Sequence, residues 1–355
     1  MGQSDITRTL SETLRGEGKH LSPRFQLPTS AELSRLPQIT TIRTAQEMAE
    51  LQPAWESLLA GGRTTIFQNF QWNLLALTTF VDREEPCIVC AQASYGLAIV
   101  PAVVHRSDAS VRLLGEELFD YRSFLHQGDE AVLAGALSEL AALARPLEVV
   151  ALREHDRKPI MDGLSLLPFS AAPQVRCVDC SAEEFGDKHA RLGRNLRRLA
   201  RLGFEITTYR GDNPSLLLSI YQRKAAQDPR SLFHDPLRVE FMIRAARLYP
   251  AAFEIFALEC GPRMGAALVT LRDSHTRRFY TGWFDPSLEK HSPAITLIYE
   301  VTRQSLAAGL DCDYMTGEQP YKMRLATASV PLYRLRATPQ QLAELGTWSS
   351  TLMAG

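Results

Sequence analysis

One stretch of this chain lies over another without a gap. AVLAGALSELAALARPLEVVAL (residues 131–152) aligns with AITLIYEVTRQSLAAGLDCDYM (294–315) at a shift of 163 residues. Each copy is an amphipathic helix, a Pro or Gly break, and then a strand. The preceding strands correspond as well, YGLAIVPAVV over RMGAALVTL, at a slightly larger shift. Solenoid repeats run at roughly 20 to 50 residues, so a period this long predicts two related domains side by side. The length of 355 residues agrees, at roughly 150 residues per domain.

The periodicities give the same element order twice. In the first half, helices are predicted near 44–60, 70–80 and 129–145, with strands at 86–92, 97–105, 110–115 and 147–153. A basic helix over about 182–202 connects the halves. The second half is predicted as strand 204–210, helices 214–227 and 235–248, strands 253–260, 264–272 and 277–284, helix 293–308, strand 311–316 and a last strand near 331–337. This is an α/β order. Residues 1–37 are polar, carry Pro23, Pro28 and Pro37, and are read as a poorly ordered arm. The expected domains are 38–180 and 181–340, followed by a tail over 341–355.

Composition excludes several classes. With 39 Lys+Arg against 40 Asp+Glu, the net charge of -1 does not suit a polybasic nucleic-acid binder or an acidic disordered chain. No stretch approaches 18 consecutive apolar residues, and the first 30 residues lack the apolar core of a signal peptide, so a cytoplasmic protein is expected. Cys87/Cys90 and Cys177/Cys180 form two C-x-x-C pairs, but both lie in runs that read as strands. Residues three apart on a strand point to opposite faces and do not converge on one metal, so no metal is expected. HExxH, Gly-x-Ser-x-Gly, Walker and Gly-x-Gly-x-x-Gly patterns are missing from the sequence.

The second half has the element order of the GNAT acyltransferase superfamily. Within it, Phe284-Asp285-Pro286, Ser292-Pro293 and Gly317-Glu318-Gln319-Pro320-Tyr321-Lys322 occur in the order found in the CelD-like branch associated with cellulose and exopolysaccharide biosynthesis. Arg194-Asn195-Leu196-Arg197-Arg198, Phe67-Gln68 through Trp72, and Leu114-Gly115 through Asp120-Tyr121 are similar to that branch too, so the resemblance covers about residues 40 to 337. It implies an α/β fold of two fused GNAT-like domains, each a mixed, mostly antiparallel sheet flanked by helices. It also implies an acetyl-CoA or other acyl-CoA donor, and an acceptor amine that is an amino-sugar or another small amine. Tandem GNAT domains also occur in FemAB-type ligases that use aminoacyl-tRNA, and a non-catalytic binding or scaffold protein is a third reading.

A thioester donor needs a strand edge for its amides and a helix N-terminus for its pyrophosphate. Glu289 to Ala294 supplies that helix start, with Ser292 suited to the N-cap and Pro293 to the first helical position, and His291, Ser292, Ala294 and Ile295 are the expected donor-binding residues. The loop holds no glycine between Gly282 and Gly309, unlike the Gly-rich loop usual in the superfamily. Acyl transfer to an amine also needs a base and a proton donor for the thiolate. Glu318 is the first choice of base and Asp313 the second, with Tyr321 as proton donor. Asp285, Lys322, Tyr280 and Trp283 are candidate substrate-binding residues, Lys322 alternatively a strand-helix clamp. Strand alternation places Asp313 with Asp311, opposite Cys312 and Tyr314. Arg191, Arg194, Arg198 and Arg201 form one face of the basic helix, either a solvated surface or a seat for a phosphate-rich ligand. In the first half, Asp129 and Glu130 stand at the matching helix start, where they repel a phosphate, so that half is expected not to bind coenzyme A or to be catalytic, but to supply a wall of the acceptor cleft and a structural partner.

Overall fold

The computed structural model describes residues 37–60, 64–153 and 164–352. The first half comprises β1 (Gln38–Ile42), α1 (Ala45–Glu50), α2 (Gln52–Ala60), α3 (Phe70–Thr79), β2 (Glu84–Pro86), β3 (Ile88–Ala93), β4 (Gly96–Val100), β5 (Ala102–His105), β6 (Val111–Leu113), β7 (Leu125–Gly128), α4 (Glu130–Glu139), β8 (Leu147–Arg153) and β9 (Leu166–Val175). Helices α5 (Ala182–Lys188) and α6 (Ala190–Arg201) lead to β10 (Glu205–Arg210), α7 (Pro214–Gln227), α8 (Pro236–Leu248), β11 (Phe253–Cys260), β12 (Arg263–Arg272), β13 (Thr276–Phe284), α9 (Pro293–Ala307), β14 (Asp311–Asp313), α10 (Pro320–Leu325), β15 (Ala328–Ala337) and α11 (Pro339–Leu352). Helices α4 and α9 begin at 130 and 293, and β9 and β15 at 166 and 328, which reproduces the 163-residue shift to within one residue. Both halves join a strand to the next in parallel at matching places, Val111 with Leu147 and Thr276 with Asp311.

An eleven-stranded sheet, ordered β10-β11-β12-β13-β14-β9-β15-β8-β6-β5-β2, runs through both halves. The last strands of the two halves are exchanged. β9 pairs with β14 and β15 of the second half, and β15 pairs with β8 of the first. The expected border at residue 180 therefore falls after a strand that already sits among those of the second half. The segment expected as a tail from 341 is instead part of α11, which packs on α4 and places Leu342 and Leu345 in the core of the first half. The run read as a strand through Cys180 stops at Val175, and Arg176–Asp179 closes a turn. The expected arm lies outside the described residues but for Pro37.

The second-half sheet is covered on both faces. Helix α9 is buried along most of its length, its Leu297 and Val301 packing with Phe256, Phe279 and Tyr314 on one face. On the other, Tyr221 of α7, Phe241 of α8 and Phe253 of β11 join one core with Phe67, Trp72 and Phe119 of the first half. Cys312 and Tyr314 join the α9 core and Met315 the opposite one, which is the alternation read from the sequence. Charged contacts cross between the halves beside this core: Arg83 pairs with Asp235, and Arg238 Nε donates to Glu116 Oε2 at 2.9 Å. Among the described residues, no helix is long and apolar enough to cross a membrane.

Candidate active site

β13 and β14 are parallel neighbours for only three pairs, ending at Arg278 and Asp313. β13 then continues to Phe284 along β12, while the chain after β14 turns to follow β9, where Tyr314 N donates to Pro173 O at 3.0 Å and Gly317 N to Ala171 O at 2.9 Å. Among the described residues no strand pairs with that side of β13 from Phe279 to Phe284. The strands thus part and leave that edge of β13 unpaired by a strand, with Gln227 Nε2 donating to Phe284 O at its end at 3.1 Å. Helix α9, which links them, begins at this gap.

The start of α9 is left open to a ligand. Pro293 occupies the first helical position as expected, but Ser292 differs from its expected role. It adopts left-handed geometry (φ 48°) and its side chain makes no cap bond. The main chain closes the turn instead, Ser292 N donating to Glu289 O and Thr296 N to Ser292 O. The amides of Ala294 and Ile295 have no partner among the described residues, and the positive end of a 15-residue helix lies behind them. At the matching start of α4, the Asp129 carboxylate accepts from Ala131 N at 2.8 Å, so that helix end is capped by its own chain.

A buried polar network closes the point where the strands part. Asp313, 0% exposed, pairs with Arg278, and its other oxygen accepts from Tyr121 Oη at 2.7 Å and from Met315 N at 2.8 Å. This corrects the expectation for Asp313. A carboxylate fully engaged by three donors and shut from solvent is an anchor, not a base. Lys322 is buried and donates to the carbonyls of Thr316 (2.8 Å) and Met315 (3.4 Å), which is the clamp reading of that residue; burial pulls its pKa down. Tyr321 packs partly buried on the α9 side, and burial raises its pKa, so the phenol keeps its proton. Glu318 stands exposed on the loop before α10, with no partner among the described residues.

The remaining candidates divide between structure and cleft. Asp285 caps the short turn after β13 by accepting from Ser287 N at 2.9 Å. It also pairs with Arg263 at 2.8 Å, and this bond holds its pKa low. Trp283 is buried beneath Arg223, whose guanidinium lies 4.8 Å from the ring centre. Tyr280, half-buried, donates to Leu118 O at 3.0 Å. On α6, Arg191, Arg194, Arg198 and Arg201 are exposed and have no ion-pair partner among the described residues.

Sequence reasoning gave the first half only as a wall of the acceptor cleft and named none of its residues for the site. The loop from Gly115 to Arg122 turns in the left-handed region at Gly115 (φ 100°), where a side chain would strike the Phe119 ring at 2.4 Å. The buried Arg122 pins it by donating to Leu113 O and Leu114 O. This loop delivers Leu118, Asp120 and Tyr121 to Tyr280, Thr316 and Asp313 of the second half. The signal for it was the Leu114-Gly115 through Asp120-Tyr121 motif.

Comparison with known proteins agrees with this geometry. Residues 186–323 match the family model described as an acetyltransferase (GNAT) domain. No curated protein matches the sequence. Among solved structures, FemX is similar in fold, at 9% identity and a TM-score of 0.56 over 87% of this chain and 99% of that one. So is the C-terminal domain of a putative lysylphosphatidylglycerol synthetase from Agrobacterium fabrum, with 11% identity and a TM-score of 0.55 over 86% and 96%. A conserved protein of unknown function from Bacteroides thetaiotaomicron gives 10% identity and a TM-score of 0.57 over 85% and 100%. The fold is that of two fused GNAT-like domains, and the second of them matches a GNAT acetyltransferase domain.

Proposed function

We propose that the chain is a cytoplasmic, acyl-CoA-dependent N-acyltransferase working from its second half. The observation that carries this is the parting of β13 from β14 beside an uncapped α9, within the segment that matches the GNAT domain. The edge of β13 left without a strand suits the amides of a pantetheine arm, and the unpartnered amides of Ala294 and Ile295 suit a pyrophosphate, with His291 and Ser292 lining the same turn. In this reading the acceptor amine attacks the thioester directly and Tyr321 protonates the leaving thiolate. Lys322 and Asp313 hold the gap in shape. Asp285, Trp283 and Tyr280 border it. The acceptor is an amino-sugar or another small amine, in line with the resemblance to the exopolysaccharide-associated branch. Release of free thiol on mixing the protein with acetyl-CoA and a panel of primary amines tests this; thiol release no faster than without protein contradicts it.

The unpaired arginines of α6 favour a second reading, a ligase taking its acyl group from aminoacyl-tRNA, because exposed cations without partners attract phosphodiester. Retention of tRNA in a filter-binding assay at low salt, lost steeply as salt rises, supports that reading. No retention removes it.

A further inference from the structure

The loop of the first half does more than wall the cleft. Its residues are tied to both sides of the gap in the second half: Leu118 O accepts from Tyr280 of β13, and Asp120 O accepts from Thr316 Oγ1, beyond β14, at 3.2 Å. Asp120 thus stands across the opening where the strands part. Its immediate neighbours Phe119 and Tyr121 are buried in the core beneath, while Asp120 itself keeps partial exposure. The charged groups facing it are Lys322 and Asp313 of the second half and Arg122 of its own loop. Lys322 is already committed to two carbonyls and makes no direct bond to Asp120, and Asp313, itself an anion, disfavours the Asp120 charge. On α7, Tyr221 is 0% exposed, and its hydroxyl has no hydrogen-bond partner among the described residues. A buried hydroxyl without a partner is costly unless something else fills the bond. It lies in the same core as Tyr280, whose phenol feels both Tyr221 and Asp120.

We propose that Asp120, supplied by the first half, is the general base of the transfer and that it forms, with the Tyr221 hydroxyl and Tyr280, the seat of an acceptor that arrives as an ammonium ion. This rests on the N-acyltransferase reading above. The carboxylate attracts the ammonium, which gives up one proton to solvent on becoming nucleophilic. The neutral nitrogen then attacks the thioester carbonyl. As the N–C bond forms and the C–S bond breaks, Asp120 takes the second nitrogen proton, the sulfur takes the Tyr321 phenol proton, and solvent returns a proton from Asp120 to Tyr321. The products are an amide and a free thiol. Burial, the largest influence, holds the Asp120 pKa up to about 6, close to that of a base working at neutral pH.

Thiol release from acetyl-CoA is measured with two kinds of probe. Glucosamine and ethanolamine are ammonium ions at pH 7, and hydroxylamine is neutral and sheds its proton without help. Asp120→Asn is expected to lower the rate with the ammonium probes by about 100-fold or more, the usual worth of a general base, and to lower the hydroxylamine rate far less. The rise of the wild-type rate through about pH 6 should vanish with it. Tyr221→Phe should raise KM for the amine and leave that for acetyl-CoA alone. An equal loss with both probes, or no loss, overturns the assignment while leaving the acyltransferase reading intact. Loss in Glu318→Gln in place of Asp120→Asn puts the base on the exposed loop. No thiol release from wild type with any probe, hydroxylamine included, removes both proposals.

Discussion

Replacing Arg278 by methionine should unfold the protein far more easily than any surface change, because it strands Asp313. The two side chains are 8% and 0% exposed. Without Arg278, the Asp313 carboxylate keeps the Tyr121 hydroxyl and the Met315 amide but no cation, since Lys322 is spent on carbonyls. Breaking a buried pair by removing one partner costs about 3–5 kcal/mol, against a total stability of roughly 5–15 kcal/mol. Removing the charge as well, in Arg278→Met with Asp313→Leu, should recover at least about 2 kcal/mol of that loss. Tyr121→Phe, which deletes one hydrogen bond to a charged group across the two halves, should cost about 1.5–3 kcal/mol. Urea unfolding at neutral pH measures all three. The pair is also the last rung before β13 and β14 part, so Arg278→Met should weaken acetyl-CoA binding under conditions where the variant is still folded. A cost below about 1 kcal/mol for Arg278→Met, with no coupling to Asp313, would refute the view that this pair is dry and sets the gap.

Other outcomes follow from single contacts. Ionising Asp120 weakens the fold, because its folded-state pKa, about 6, lies above the ordinary 3.8; the cost is absent below about pH 4 and complete above about pH 6. Asp120→Asn should therefore stabilise the protein at pH 7 by about 1–2 kcal/mol, the full shift of about 3 kcal/mol being reduced by partial exposure, and the gain should disappear near pH 4 in melting curves. Asp129→Ala should lower stability by about 1 kcal/mol through loss of the α4 cap and leave the acetyl-CoA Kd unchanged, since that helix start is no donor site. Tyr321→Phe should lower kcat about 100-fold without raising KM for acetyl-CoA in steady-state kinetics.

Local pattern carried much of the second half. Helix 214–227 and strand 253–260 fall at the predicted bounds, and the 163-residue shift foretold matching α4 and α9. What escaped was built by distant pairing. β9, LLPFSAAPQV, contains Pro168 and Pro173, residues that argue against a central strand because they bring no amide to the ladder, yet Pro173 still offers its carbonyl to Tyr314. Helix α11 reads as a polar tail because the surface it covers, on α4, lies some 200 residues upstream. The donor side of the candidate site was legible, since Pro293 and the turn before it are contiguous. The acceptor side was not: Asp120 meets Thr316 and Tyr121 meets Asp313 across 196 and 192 residues. The sequence points to Glu318 as base because it shares the loop of the Tyr-Lys motif, whereas the Asp120 proposed above comes from the other half.

The central claim is that the second half takes an acyl-CoA at the open start of α9, and calorimetric titration with acetyl-CoA tests it most directly. Wild type is expected to bind one equivalent with a Kd well below 1 mM. Ala294→Asp should weaken that binding at least about 10-fold, because a carboxylate in the first turn repels the pyrophosphate, while leaving the melting temperature unchanged or higher, because the same carboxylate suits the helix dipole. No heat of binding from wild type at millimolar acetyl-CoA, or equal affinity in wild type and Ala294→Asp, would contradict the account.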